Sequence, residues 1–314
     1  MTSVAVLCGG VGAARLLAGL VRTVPPAGVT AVVNTGDDME LHGLAISPDL
    51  DTVVYTVAGA VDPQRGWGLR DETWNAMAAL ERYGGATWFS LGDRDLATHL
   101  YRTQRMREGA PLSTVTGEIA RAWGLELTVL PVTDDRVRTM LTIAPEAGEE
   151  GGREIGFQDY FVARRHAVPV SRVRFAGADE ARPAPGVLEA LTGADAVIIA
   201  PSNPIVSIGP LLAVPGVREA VAGRRESVVA ISPLVGGRAL KGPADRLMRE
   251  LGHEDSVVGV ARLYAPLAGT LVIDRADAEL ADEVRAAGLR CVVTDTIMRG
   301  PAEAAALCGV ALGL

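Results

Sequence analysis

Lysine is almost missing from this chain of 314 residues: Lys241 is the only one, and arginine supplies the rest of the basic charge. That bias reads as the habit of a GC-rich genome, although arginine is also the better bidentate partner for phosphates. Aromatic residues are scarce at 4%, so the core has to be assembled from Ala, Val, Leu and Ile. Three cysteines, Cys8, Cys291 and Cys308, are too few and too scattered for a disulfide framework or a metal knuckle. Apolar runs are short, none approaching the ~20 residues that span a bilayer. The opening MTSVAVLCGG lacks a charged leader and reaches its glycines too early for a signal peptide. Positive charge is deficient too: a net charge of −8 argues against a nucleic-acid or membrane-surface binder. A small anionic ligand stays possible, because backbone amides and a few arginines can hold phosphates locally. A soluble cytoplasmic protein is expected. No Ser/His/Asp arrangement, HExxH pair or CxxC spacing is present.

What the chain does have is alternation. Apolar runs rich in Val and Ile recur at Val4–Leu7, Thr30–Val33, Leu127–Leu130, Ala196–Ala200, Val228–Ile231, Val257–Val260, Leu271–Ile273 and Cys291–Val293. Amphipathic helical patterns lie between many of them, at Ala13–Val24, Val187–Leu191, Pro243–Leu251 and Ala276–Ala287. Strands alternating with helices imply βαβ units, and continuously apolar strands imply burial on both faces. The expected fold is a doubly wound, Rossmann-like α/β domain with a mainly parallel sheet, one unit over residues 1–314. An elaboration is expected at about 62–182, with helices at Trp74–Tyr83, Asp95–Arg107 and Thr114–Trp123, an acidic hairpin or loop tip at Pro145–Arg153, and a strand at Ile155–Val162.

Residues Asn34–Thr52, NTGDDMELHGLAISPDLDT, carry four aspartates and a glutamate after the run that ends at Val33. Asp37, Asp38, Asp49 and Asp51 are therefore expected beyond the carboxyl end of a strand, where ligands bind in open α/β sheets. Like charges this close need a metal ion, a cationic ligand, solvent or raised pKa values to offset them. The competing reading is a solvated loop whose aspartates form turns and caps.

The first βα turn, LCGGVGAARLLAGL, places Gly9, Gly10 and Gly12 directly after a strand, so a ligand phosphate can approach backbone amides at a helix N-terminus. It lacks the third glycine of the dinucleotide fingerprint and the Lys-Ser/Thr of a Walker loop. A purely structural tight turn is the alternative. Two further turns follow strands: APSNPIVSIGP at Ala200–Pro210, with Ser202, Asn203 and Ser207 as neutral polar groups, and SPLVGG at Ser232–Gly237. In Gly92–His99, Asp95, Thr98 and His99 fall near one helical face, and Arg94 or Arg102 could meet a phosphate or carboxylate. His99 beside an Asp reads as a structural pair more readily than as a catalyst; His42, within the acidic run, is the better functional histidine.

Taken in order, GGVGAARLLAGL, NTGDD, HGLAISPDLDTVVYTVAG, DPQRGWGLRDETW, WFSLGDRDLATHLYRTQ, LPVTDDRVRT, FQDYFV, APSNPIVSIGPLL and SPLVGGRALKGPA resemble the 2-phospho-L-lactate transferase family of coenzyme F420 biosynthesis, in its actinobacterial style. The resemblance implies transfer of a phosphoenolpyruvyl or 2-phospholactyl group from a guanosine diphosphate-linked donor to a ribityl hydroxyl of the deazaflavin Fo, with release of GMP. It also implies Mg²⁺, held by Asp37 and Asp49 with Asp38 or Asp51 as substitutes, and a homodimer. Asp37 and Asp49 are then the catalytic carboxylates, with Asp49 also against the acceptor. Gly9, Gly10, Gly12, Ser202 and Asn203 bind the donor nucleotide. Archaeal-type members tend to carry a basic residue just before LGDRD, where this chain has Ser90, and Arg94 is the nearest replacement for acceptor contact. Two rivals share some of these features: a dinucleotide-dependent oxidoreductase, and a nucleotide-sensing regulator of the gluconeogenesis-factor type.

Overall fold

The structure, a computed structural model, describes residues 2–145 and 152–314. Seven strands form one all-parallel sheet: β1 (Val4–Cys8), β2 (Val29–Val33), β3 (Thr128–Pro131), β4 (Ala196–Ile199), β5 (Val228–Ile231), β6 (Thr270–Asp274) and β7 (Arg290–Thr294). Their spatial order is β7-β6-β5-β4-β1-β2-β3. This is the doubly wound arrangement expected from the alternating pattern, with the order reversing between β1 and β4.

Side-chain alternation explains why these runs are apolar throughout. Val4, Val6 and Cys8 pack into one layer with Leu16, Leu17 and Leu20, while Ala5 and Leu7 pack into the other with Val197 and Ile199. The first layer contains helix α1 (Gly10–Thr23), α2 (Pro48–Val57) and the C-terminal helix, which runs Pro301–Leu312. The C-terminal helix crosses α1 at Gly19, where a Cβ would lie 2.4 Å from the Ala304 carbonyl carbon.

Seven of the eight apolar runs are sheet strands; Val257–Val260 is not. It opens a helix at Val257–Tyr264, because Ser256 Oγ accepts from the Val258 and Gly259 amides at 3.1 and 3.3 Å and caps the first turn. A short run buried on every side has no period to separate strand from helix. The expected strand at Ile155–Val162 also ends early, at Gly156, and a π-helical turn covers Asp159–Ala163. Phe157 and Phe161, four apart, stack at 5.3 Å as helical neighbours do.

The span 62–182 is divided by β3, which pairs with β2 and so belongs to the central sheet. Before β3 lie helices at Asn75–Glu81, α3 (Asp95–Arg107) and Leu112–Ala122. After it, Arg138–Ile143, Arg153–Gly156 and Val170–Ala176 form a small antiparallel sheet with the first of these in the centre. Most of the tip expected at Pro145–Arg153 falls outside the described residues.

Candidate functional site

The acidic segment is largely ordered into hairpin and helix after a short turn at 34–38, and three of its four aspartates are buried. Met39–Leu41 and Leu44–Ile46 form a hairpin, and α2 begins at Pro48, so Asp49 and Asp51 sit in a first helical turn whose positive end favours carboxylates. Asp37, Asp49 and Asp51 are only 5–7% exposed. At the end of β2, Asn34 organises the site: its Oδ1 accepts from the Gly36 amide at 2.8 Å and its Nδ2 donates to Asp49 Oδ2 at 3.0 Å. The Gly36 carbonyl in turn receives the Thr139 amide at 2.7 Å, which pins the turn to the small sheet. Asn34 and Thr139 were not singled out from the sequence. An Asn directly after a strand and three residues before an Asp pair was the available sign for the first; Thr139 enters only through tertiary packing.

Burial pushes the Asp49 carboxyl up to about 6, against the pull of Asn34 and of the Gly10 amide. Asp37 is raised well above the ordinary carboxylate range by burial, then by the negative charges of Asp49 and Asp38. Asp38 is raised by burial despite the hydroxyl of Ser47, which donates to its Oδ2 at 2.7 Å. Asp37 Oδ1 and Asp38 Oδ1 are buried with no hydrogen-bond partner. Oxygens of this kind suit a small hard cation, and the Asp37–Asp49 pair, with Asp38 beside it, has the donor chemistry for Mg²⁺.

Asp51 has another partner. Arg102 on α3 makes a two-pronged ion pair with it, Nη1 to Oδ2 at 3.1 Å and Nη2 to Oδ1, and Nη1 also lies 3.3 Å from His99 Nδ1. His99 Nε2 lies 3.1 Å from Asp95 Oδ2, and the Tyr55 hydroxyl is 2.7 Å from both Asp95 Oδ1 and Thr98 Oγ1. Asp51, Asp95 and His99 do bring ligand atoms within 4.8 Å of one another, but both Asp51 oxygens are already taken by the Arg102 guanidinium. This is the structural pairing expected for His99, now including Asp51, which leaves Asp51 unsuited to replace a metal ligand. His42 occupies the exposed tip of the hairpin at φ 53°.

The glycine turn faces the loop after β4, at the point where the sheet order reverses. Gly10 has φ +72°, which favours glycine. A Cβ on Gly9 would come within 2.8 Å of Ser207 Cβ and 3.1 Å of Asp49 Oδ2; one on Gly12 would lie 2.4 Å from the Pro201 carbonyl oxygen. Ser202 Oγ donates to the Gly9 carbonyl at 2.7 Å, and Asn203 Oδ1 caps the turn behind it by accepting from the Ile205 and Val206 amides. The structure thus brings Gly9, Gly10, Gly12, Ser202 and Asp49 together, and much of the hydroxyl chemistry expected for a ligand holds the two loops to each other. Ser232–Gly237 is different: it leads into a tight hairpin, Leu234–Val235 with Arg238–Ala239.

A cleft of about 350 Å³ opens on the Asp38 side of the cluster, between the hairpin, α3 and the segment 134–137. Met39, Ile46, Met106 and Leu112 give it apolar walls, with Arg107 and Arg136 as its cations. Arg94 does not line this cleft. It is exposed, and its Nη1 donates to the Arg70 carbonyl at 2.7 Å. No helix among the described residues is long and apolar enough to cross a membrane.

The family model for 2-phospho-L-lactate transferase CofD matches residues 4–307. A phosphoenolpyruvate transferase of Streptomyces griseus is 44% identical over 313 residues, covering 99% of this chain and 98% of that protein. The phosphoenolpyruvate transferase of Mycolicibacterium smegmatis is 41% identical, with 99% and 98% covered. Among solved structures, protein BH3568 of Bacillus halodurans superposes with a TM-score of 0.66 over 99% of both chains at 18% identity, a likeness of fold alone.

Proposed function

Since the chain belongs to the 2-phospho-L-lactate transferase family, we propose that it moves a phosphoenolpyruvyl group from a guanosine diphosphate-linked donor to a hydroxyl of the deazaflavin Fo, releasing GMP and forming dehydro coenzyme F420-0. The observation that carries the reading is Asp49, paired with Asp37, set against the glycine turn at the sheet's reversal point. A carboxylate pair next to a phosphate-binding turn is what a diphosphate substrate and its counter-ion need. The full-length relatives named for phosphoenolpyruvate favour the enolpyruvyl donor over the lactyl one.

In this reading Gly9, Gly10 and Gly12 present backbone amides at the start of α1 to the donor phosphates, while Asn203 borders the nucleotide. Asp37 and Asp49, with Asp38 adjoining, would hold Mg²⁺, which when bound screens the diphosphate and stabilises charge on the leaving phosphate. Asp49, with its carboxyl near 6, is suited to orient the acceptor hydroxyl and take its proton near neutral pH. The hydroxyl oxygen forms the new bond to the distal phosphorus, and the bond from that phosphorus to the GMP oxygen breaks. The cleft beside Asp38 lies in the lower size range of small-molecule sites and suits a flat acceptor. Arg107 and Arg136 line it; Arg94 would reach an acceptor only after releasing Arg70. A homodimer in the cytoplasm belongs to the same proposal.

The test is to incubate the protein with Fo, Mg²⁺ and guanylylated phosphoenolpyruvate, then follow GMP by chromatography. GMP release dependent on Fo is expected. Its absence with both the enolpyruvyl and the lactyl donor would sink the assignment.

A further inference from the structure

The only lysine of the chain ends up beside another cation. Lys241 follows the Leu234–Ala239 hairpin, which is anchored where the Gly236 amide donates to Asp277 Oδ2 at 2.9 Å. Arg15 stands on the second turn of α1, half-buried, with Nη1 3.4 Å from the Met298 carbonyl. Gly66 closes the arrangement from a third side: a Cβ there would lie 2.8 Å from Lys241 Nζ, 3.7 Å from Arg15 Nη2 and 3.8 Å from Val11 Cγ1. Three segments far apart in sequence thus gather an ammonium and a guanidinium against the first turns of α1.

Neither cation has a carboxylate partner among the described residues, whereas Arg65, Arg102, Arg105, Arg174 and Arg246 all do. Like charges held together without a counter-charge repel, and the arrangement is favourable only when an anion enters. The first turn of α1 adds to the same field, having no acidic residue and no side-chain cap. Lys241 is accordingly held below its ordinary value, by partial burial first and by Arg15 second. The third side is stiff. Asp62 Oδ1 accepts from the Gln64 and Arg65 amides at 2.8 and 2.9 Å, and the Arg65 guanidinium lies 5.4 Å from the Trp67 ring and 5.1 Å from the Trp74 ring.

We propose that Arg15 and Lys241 form an anion clamp that takes the phosphate groups of a nucleoside diphosphate entering the crevice between β1 and β4, with Gly66 left bare so that both cations can reach them. Naming a nucleotide as the source of the phosphates rests on the donor reading above; the clamp itself rests on the convergence of the two charges. Arg15 offers a planar fork for two phosphate oxygens and Lys241 a point charge.

Because Lys241 is unique, reductive ¹³C-methylation of the full-length protein labels one side-chain amine, apart from the α-amino group, and keeps its charge. The expected result is that GDP and inorganic pyrophosphate both shift the Lys241 resonance and guanosine does not. In calorimetry at low salt, Lys241→Gln and Arg15→Gln each weaken GDP binding by roughly tenfold, the loss shrinking as salt is raised. GDP bound at wild-type affinity by both variants, with the Lys241 signal unmoved in the parent, overturns the clamp and leaves the donor reading standing. A shift with pyrophosphate in a protein that ignores GDP supports the clamp and sinks the donor reading. No response to either overturns both. The labelled parent protein tests the idea even if a variant folds poorly.

Discussion

Asn34 Nδ2 donates to Asp49 Oδ2 at 3.0 Å, fastening the end of β2 to the first turn of α2. Through that bond the residue following β2, its own amide tied to the Cys8 carbonyl of β1, fixes the carboxylate that also approaches the Gly10 amide of the first βα turn. The proposed metal and acceptor chemistry therefore shares one anchor with the proposed phosphate site, and the two can be separated by substitution.

Asp49→Asn keeps the shape of the side chain and removes its charge. Turnover of Fo should fall by more than about tenfold, the low end of what a positioned acid or base contributes, with GDP affinity held within a few-fold. Steady-state rates paired with calorimetry decide this, and unchanged turnover would remove Asp49 from the mechanism.

Gly12→Val acts on the fold as well as on the ligand. Because a Cβ at Gly12 would lie 2.4 Å from the Pro201 carbonyl oxygen, the loop after β4 has to move before any ligand is present. A lowered melting temperature and weakened GDP binding are expected together. Normal melting with weak binding would mean that Gly12 serves ligand approach alone.

The raised carboxyls predict an unusual pH dependence. Folded Asp49 takes up its proton near pH 6, well above the unfolded value, so between about pH 4 and 6 the native state binds more protons than the unfolded chain. Stability from this group then falls as pH rises through that window. With EDTA present, Tm at pH 5 should exceed Tm at pH 7.5 by about 2 °C or more. Mg²⁺, binding the ionised carboxylates, should stabilise more at pH 7.5 than at pH 5. Calorimetric scans of the parent and of Asp49→Asn test the sign, since the variant should show a flatter profile.

The Arg102–Asp51 pair is buried, with Arg102 1% and Asp51 5% exposed. Removing one partner strands the other charge, so Arg102→Met is expected to cost about 3–5 kcal/mol in urea unfolding. The double change Asp51→Leu with Arg102→Met should cost clearly less than the two single changes added. Additive losses would show that the two side chains act independently.

How much of this was legible beforehand depends on where each interaction comes from. The sheet could be read because runs such as Val4–Cys8 are buried on both faces, and α3 could be read because Asp95–Arg107 keeps one helical period. Val257–Val260 misled because its burial is uniform and its fate was decided by the hydroxyl of Ser256. The carboxylates were visible as an excess of charge, yet nothing local assigned Asp51 to Arg102, 51 positions away. The same holds for Gly9, Gly12 and Ser202: their residue types suggested a ligand turn, while the packing of Gly9 on Ser207 and of Gly12 on Pro201, and the Ser202 bond to the Gly9 carbonyl, needed the tertiary fold.

The pairing of Val4 with Ala196 in the central sheet has a kinetic side. Parallel strands this distant in sequence meet only after a long loop has closed, and that closure slows folding. The crevice between β1 and β4 does not exist until this pairing forms, so no early intermediate containing the N-terminal glycine turn alone can present the complete proposed nucleotide site. Recovery of ligand binding during refolding then reports the joining of the two halves of the sheet, and a chain stalled before that step exposes the apolar edges of β1 and β4 to other copies of itself.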